Sequence, residues 1–249
     1  FNFNTAGTLK VESFGNSFTN AFNTSQLTYS SDLTGLTIGK STNTSNVTVA
    51  SDIDINGPVS IYGGNIYVNE NIDTQGGATN GDVLLKVSAD IVLAESKTIT
   101  TDGGDVILWS NSDNETTSGS LITRKGSSIT TNSGHLWIGG GAESGSLWNG
   151  LTVGDGYAVA GTSLNDLDRP NTNTDASWRG AGIFLDGTTI NTSGGHIAMY
   201  GKSVGNYDGL VTYGINTINS GTGKISINAD ANDNYASLFG VHNSVTPSI

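Results

Sequence analysis

The chain contains no cysteine among its 249 residues, so disulfide bonds, thiol nucleophiles and thiolate metal sites are excluded. Cationic side chains are scarce: 10 Lys and Arg stand against 22 Asp and Glu, which gives a formal net charge of −12. Nucleic-acid binding needs clustered Lys and Arg that displace counterions. We therefore expect no nucleic-acid partner.

Long apolar runs are also missing, since none approaches the roughly 18 residues that a membrane helix needs. We expect no membrane insertion. No signal peptide is visible and the chain begins at Phe1, which favours a processed or excised piece of a longer protein. Hydrophobic residues make up only 35% of the chain. That is little for a compact sandwich but enough for the thin core of a solenoid.

A short phrase recurs in the second half of the chain. It reads I-T-T-D-G-G-D-V-I-L from Ile99 and returns in related form from Ile129, Ile190 and Ile218, with an earlier version from Ile72. Most successive starts lie roughly 30 residues apart, and a repeat of this length indicates stacked structural units. The interval from Ile129 to Ile190 is about twice as long, so it is either one long turn or two ordinary turns.

Short runs with period-two alternation indicate strands, and helical periodicity is almost absent. The clearest coil has three strands, at 83–87, at 91–93 and around Ile99, before the next coil begins at Val106. Three strands in about 30 residues are typical of a parallel β-helix with a triangular section, whose coils lie about 4.8 Å apart. The Gly-Gly or Ser-Gly pair before each returning strand is expected to supply positive φ at a corner.

Two segments depart from this rhythm. Residues 1–35 are rich in phenylalanine and are predicted to form an N-terminal cap or edge strands, with the β-helix occupying 36–249. An irregular excursion at about 140–181 is predicted to hold one strand, near Leu151 and Val153, and a loop extruded from the stack. Insertions in solenoids commonly gather on one face.

The segment from Asp52 to Asn69, D-I-D-I-N-G-P-V-S-I-Y-G-G-N-I-Y-V-N, and the I-T-T-x-G-G-x-I-x-L units resemble filamentous haemagglutinin-type repeats. Such repeats occur in very large bacterial surface adhesins, including two-partner-secretion exoproteins and the adhesins of gliding bacteria. The resemblance covers residues 36–140 and 183–230. It implies an all-β, right-handed parallel β-helix (β-solenoid) with about 27–30 residues per coil and one extruded loop. It also implies a location outside the cell or on the bacterial cell surface.

Repeat register predicts a row of outward aromatic side chains. Positions seven and nine of each phrase point inward, so positions eight and ten place Ile107, Trp109, Trp137 and Tyr200 on one outer face. Either the excursion folds back over them or they form a carbohydrate platform. The candidate ligand-binding residues are Trp137, Trp148, Tyr157 and Trp178.

Acidic residues of the excursion are candidates for calcium binding. Asp155, Asp166 and Asp168 offer the oxygen ligands that Ca²⁺ prefers, although their spacing matches neither an EF-hand nor a calcium-binding β-roll. Solvated loop acids are the alternative. We expect no other cofactor, and no His or Cys cluster supports zinc.

The predicted function is that of a structural or adhesive segment of a secreted or cell-surface bacterial adhesin, with surface glycans or other adhesin segments as partners. We expect no enzymatic activity and no catalytic residues. One alternative is a polysaccharide lyase or glycoside hydrolase on the same scaffold, for which Asp102, Asp105, Asp113 and Glu115 lie near one corner. A filament subunit is another, and an ice-binding solenoid built on stacked Thr-x-Thr motifs is a third.

Overall fold

A computed structural model describes residues 1–76, 81–115, 119–160, 181–203, 208–231 and 240–242. Within these ranges the chain forms 26 strands, numbered β1–β26, and one short 3-10 helix, Thr24–Gln26. The described residues contain no α-helix, and none of their helical segments could cross a membrane.

Most strands belong to three parallel sheets that run the length of the molecule. The first sheet contains β2 (Thr8–Val11), β5 (Gly35–Ile38), β8 (Val59–Gly63), β11 (Val83–Val87), β14 (Val106–Trp109), β17 (Leu136–Trp148), β19 (Ala158–Ala160), β22 (Ile197–Ser203) and β25 (Ile225–Asp230), with β18 (Leu151–Gly156) attached to β17. The second sheet contains β3 (Phe22–Asn23), β6 (Val47–Val49), β9 (Ile66–Val68), β12 (Ile91–Leu93), β15 (Leu121–Thr123), β20 (Ile183–Asp186), β23 (Leu210–Tyr213) and β26 (Gly240–His242). The third contains β7 (Ile53–Asp54), β10 (Ile72–Asp73), β13 (Thr98–Thr100), β16 (Ser128–Thr130), β21 (Thr189–Asn191) and β24 (Thr217–Asn219). β1 (Asn2–Phe3) and β4 (Thr28–Tyr29) pair separately.

This architecture is a β-solenoid of about 7 turns, which confirms the predicted all-β fold of stacked parallel strands. The repeat phrases stack in register, since Ile129 pairs with Ile99 on one side and with Ile190 on the other. Because Ile129 and Ile190 are direct neighbours, the double-length interval between them is one long turn. The predicted three strands per coil are also present.

Coil length varies more than the sequence repeat predicts. Asp52 and Asn71 occupy equivalent corners of neighbouring coils, yet they are only 19 residues apart. At another corner, Asp82 and Asp105 are 23 residues apart. Short corners account for the tight coils, since only three residues link the end of β9 to the start of β10. No Gly-Gly pair precedes β8, so the 19-residue coil lacks the glycine phrase that marks the later coils.

The core is a column of aliphatic side chains enclosed by the three sheets. In the first sheet the inward positions Val106, Leu136 and Ile197 are each no more than 1% exposed. The residues at position nine of the same phrases are equally buried: Leu108, Ile138 and Met199. Their burial confirms the predicted inward assignment. The last coil differs, because Ile225 is 46% exposed.

At the corner before the first sheet, the second residue of the Gly-Gly or Ser-Gly pair must be glycine because successive coils approach closely there. A Cβ built on Gly134 would lie 2.0 Å from the carbonyl oxygen of Gly104, and one built on Gly195 would lie 1.8 Å from that of Gly134. Positive φ is instead a property of the preceding residue, at 82° for Gly103 and 126° for Gly194. The two glycines therefore serve different purposes, one conformational and one steric.

Polar ladders hold successive corners together. Before the first sheet, the backbone N–H of His135 donates to Oδ1 of Asp105 at 2.6 Å, and the N–H of His196 donates to Nδ1 of His135 at 2.9 Å. The N–H of Lys224 then donates to Nδ1 of His196 at 2.9 Å. Each of these corner side chains thus accepts a backbone N–H from the next coil, so that this donor is paired.

Residues 1–35 lie in contact with the stack. β2 pairs with β5 and β3 pairs with β6, so the first strands of two sheets fall inside this segment. Phe3, Phe18 and Phe22 pack against the core, whereas Phe1 and Phe14 are exposed.

Candidate functional site

A β-hairpin projects from the stack where β17 continues beyond its neighbours. Residues Leu136–Ile138 pair with both β14 and β22, and the strand then leaves the sheet to pair antiparallel with β18. The two-residue turn is Asn149-Gly150, with φ of 48° and 86°. Positive φ at both positions defines a type I′ turn, for which Asn-Gly is the favoured sequence.

The hairpin covers the outward aromatic row of the first sheet. Trp109 and Trp137 are each 1% exposed and meet edge to face, with 6.0 Å between ring centroids. Val153 from β18 packs against both in one apolar cluster. Of the two sequence-based alternatives for these tryptophans, the structure shows the covering excursion, since neither offers a ring face to solvent.

Specific contacts anchor this cover. Nε1 of Trp109 donates to the carbonyl oxygen of Gly141 at 2.8 Å. Nζ of Lys86 lies 3.7 Å above the Trp109 ring and donates to a carboxylate oxygen of Glu143 at 2.9 Å. This hydrogen bond and the positive charge of Lys86 lower the pKa of the Glu143 carboxyl. The side chains of Trp109 and Lys86 in the stack therefore bind the hairpin through Gly141 and Glu143.

Glycines allow the hairpin to lie close to the sheet. A Cβ on Gly140 would come within 2.1 Å of the carbonyl oxygen of Tyr157, and one on Gly154 within 2.1 Å of that of Gly140. The chain returns through β19, whose residues Ala158–Ala160 pair with the second half of β22. Tyr157 is thereby fixed at the base of the hairpin, where its hydroxyl accepts a hydrogen bond from Nδ2 of Asn228 at 3.0 Å.

Between the hairpin and β22 lies an open cleft of about 260 Å³, which we call the hairpin cleft. Its lining combines four aromatic side chains, two aliphatic side chains, a carboxylate and two glycines: Trp137, Leu147, Trp148, Val153, Gly154, Asp155, Gly156, Tyr157 and Tyr200. Trp148, Tyr157 and Tyr200 are partly exposed. The volume lies just below the range of about 300–1,000 Å³ that is usual for small-molecule sites.

The hairpin cleft brings together four of the residues selected from the sequence. Trp137, Trp148, Tyr157 and Asp155 all line it, with Trp137 as a buried floor. Trp178, Asp166 and Asp168 lie outside the described residues. Sequence reasoning did not select Leu147 or the hairpin itself, although the Asn149-Gly150 turn signal was present.

A pair of stacked imidazoles supports the outer wall. The rings of His135 and His196 lie 4.9 Å apart and nearly parallel, and Trp148 meets His135 edge-on at 5.7 Å. Since both Nδ1 atoms accept backbone N–H groups, the histidines act as links in the corner ladder.

The described residues contain no group of three or more His, Asp or Glu side chains arranged to hold a metal ion. Asp155 supplies one carboxylate to the hairpin cleft, and calcium binding by the excursion stays a prediction. Among the carboxylates considered for catalysis, Asp105 is a ladder acceptor for His135.

The threonine motifs considered for ice binding align along the third sheet. Thr98, Ser128, Thr189 and Thr217 stack in one row, and Thr100 and Thr130 are followed by Asn191 and Asn219 in the next.

No protein-family model matches this chain, and neither a curated protein sequence nor a solved structure matches it. The β-solenoid fold is compatible with a β-helix repeat region.

Proposed function

We propose that this chain is a structural and adhesive segment of a secreted or cell-surface bacterial adhesin, and that it contacts glycans through the hairpin cleft. The observation that carries the proposal is the hairpin itself. It interrupts a regular stack and places partly exposed aromatic side chains around a cleft.

The stack suits the structural part of this role. Its core is a continuous aliphatic column, and its coils are joined by in-register main-chain pairing and by corner ladders. In such solenoids each coil depends mainly on its neighbours, so length can be extended by repetition. A repetitive stack that carries a local binding element suits an adhesin.

The hairpin cleft suits a sugar ring. Trp148, Tyr157 and Tyr200 offer apolar ring surface on which the C–H face of a sugar can stack. The Asp155 carboxylate and the Tyr157 hydroxyl are polar groups at its margin that can bond sugar hydroxyls. A few polar groups set among aromatic walls are typical of small-ligand sites.

A glycan-array screen tests this proposal, with the unmodified protein compared with Trp148→Ala and with Phe14→Ala. Phe14 is a fully exposed aromatic residue in the N-terminal segment, so its removal controls for nonspecific loss of apolar surface. We expect specific glycan signals that Trp148→Ala abolishes and Phe14→Ala retains. Both variants should keep the β-rich circular dichroism spectrum of the parent.

Absence of specific binding by the unmodified protein, with and without Ca²⁺, would refute the glycan-contact part of the proposal. Binding that survives Trp148→Ala would place the contact elsewhere on the chain. Binding that requires Ca²⁺ would support the predicted calcium ligands of the excursion.

A further inference from the structure

One acidic residue, Asp155, lies in the lining of the hairpin cleft. Asp155 is exposed and lines the cleft, and it has no ion-pair partner among the described residues. Two lysines on the strands of the first sheet are engaged in ion pairs: Lys86 pairs with Glu143 at 2.9 Å and Lys202 pairs with Asp230 at 2.8 Å. Among the described residues that line the cleft, Asp155 is the one with a charged side chain.

The aromatic walls add to this preference for a cation. The rings of Tyr157 and Tyr200 stand almost at right angles, 81°, with centroids 6.2 Å apart, and form two sides of a corner. Trp137, whose ring centroid is 6.3 Å from that of Tyr200, is buried beneath them and offers no face to a ligand. The faces of such rings are electron-rich and attract a cation within about 6 Å. Nζ of Lys202, which is paired with Asp230, lies 6.0 Å from the centre of the Tyr157 ring, at the outer limit of this distance.

We propose that the hairpin cleft selects a sugar unit that carries a protonated amine, as in a glycan with free rather than acetylated amino sugars. This inference rests on the proposed function and specifies its ligand. The sugar ring stacks on Trp148, while the ammonium group lies between the tyrosine faces and pairs with Asp155. The formal net charge of −12 on the chain also attracts cationic glycans over a longer range.

Two other glycan classes are disfavoured by the same groups. A uronate would place its carboxylate against Asp155, and the protein as a whole would repel it. An N-acetylated sugar can stack on the aromatic rings but brings no charge, so it gains neither the ion pair nor the cation–π contact.

Isothermal titration calorimetry with three tetrasaccharides tests the inference: tetra-glucosamine, tetra-N-acetylglucosamine and tetra-galacturonate. The first two differ only at the amino groups, which are protonated at about pH 6 in the glucosamine oligomer. We expect tetra-glucosamine to bind about tenfold tighter than its acetylated counterpart, from one exposed ion pair and one cation–π contact. Raising the salt concentration should reduce this preference.

Two matched variants locate the charge. Asp155→Asn removes the negative charge and keeps the size of the side chain. Asp54→Asn removes one exposed carboxylate from the third sheet. We expect Asp155→Asn to abolish most of the preference for tetra-glucosamine and Asp54→Asn to retain it. Equal loss in both variants would show that net charge alone attracts the ligand and would overturn the inference.

The remaining outcomes separate this inference from the proposed function. Equal binding of the two glucosamine-based oligomers, or tighter binding of tetra-galacturonate, would overturn the amine preference and leave glycan contact intact. Absence of binding to all three, together with a glycan array without specific signals, would refute the proposed function and this inference with it.

Discussion

Glycine and aromatic residues have different roles in the regular stack and in the hairpin. In the stack, glycine lets one coil lie directly on the next, as at Gly195. In the hairpin, Gly140 and Gly154 let one strand lie close over another. Aromatic residues are rare in the stack core, whose buried column is aliphatic, and are concentrated beneath and around the hairpin. Repetition thus builds the scaffold, and one interruption of the repeat builds the candidate site.

The two regions also differ in how their parts depend on one another. A residue in the stack has equivalents one coil above and one coil below, so a defect there affects several coils. The hairpin depends on a few specific contacts, chiefly those of Trp109, Lys86 and Glu143. Substitutions in the stack and in the hairpin should therefore have different effects.

The largest effect is expected for Ile138→Asp, which places a charge in the aliphatic column where Ile138 is 0% exposed. An unpaired buried charge costs several kcal/mol, and we expect about 4 kcal/mol or more, enough to unfold the neighbouring coils. Thermal melting followed by circular dichroism measures this. Thr130→Asp, on the outer side of the third sheet, is the control and should melt close to the parent. Unchanged melting of Ile138→Asp would refute the inward assignment.

A smaller but distinctive effect is expected for Gly195→Ala. Its new Cβ would meet the carbonyl oxygen of Gly134, so the two coils must separate locally, at a cost of about 2–3 kcal/mol. Gly145→Ala in the hairpin is the control, because Gly145 has φ of 76° and open space around its Cβ. That control should cost about 1–2 kcal/mol, from backbone conformation alone, and should leave the melting of the stack unchanged. If the two variants destabilise the stack equally, close approach between coils is not the reason for glycine at position 195.

The histidine ladder predicts a contrast between two substitutions at one site. His135→Leu removes the acceptor for the His196 N–H and should cost about 1–2 kcal/mol. His135→Asn keeps an acceptor of the kind that Asn65 supplies to the Asp90 N–H at the corner before the second sheet, and should recover most of the loss. Chemical denaturation of both variants measures the difference. Equal stability of the two would show that the ladder contributes nothing.

The smallest effect is expected at the Lys86–Glu143 pair, in which Lys86 is largely buried and Glu143 is exposed. Because the folded protein lowers the pKa of Glu143, the pair stabilises the hairpin at pH values above the ordinary Glu pKa. This contribution is lost as the pH falls through the lowered value. Tryptophan fluorescence should therefore report partial exposure of Trp109 on acidification, while the circular dichroism of the stack is retained. Glu143→Gln should weaken the hairpin already at neutral pH and show less change on acidification.

The repeat phrase predicted the stack well because it records local requirements at equivalent positions. Val106, Leu136 and Ile197 were assigned inward from register alone, and all three lie in one column. The second glycine was harder to interpret, since its clash partner, for example the Gly134 carbonyl for Gly195, lies a whole coil away in sequence. A contact of that kind leaves no local signature beyond the glycine itself.

The sequence indicates which residue types gather in the excursion, but it does not show how the hairpin assembles them. Trp148, Asp155 and Tyr157 were selected because aromatic and acidic residues cluster in the excursion, and they line one cleft. The hairpin was identifiable from Asn149-Gly150, but its strands contain glycine at positions 140, 141 and 154 and lack clean alternation. Those glycines satisfy packing over tryptophans from other coils, and single-sequence patterns do not encode such packing.

Hydrogen exchange followed by mass spectrometry, on the unmodified protein and on Trp148→Ala, separates the two regions in a single experiment. The stack should support itself, and the hairpin should be a separately stabilised element that forms the cleft. We predict faster exchange in Trp148→Ala for peptides from residues 142–156, with unchanged exchange for peptides from β13, β15 and β16. Equal acceleration in the hairpin and in those stack strands would contradict this separation, because it would show that the two regions open as one unit.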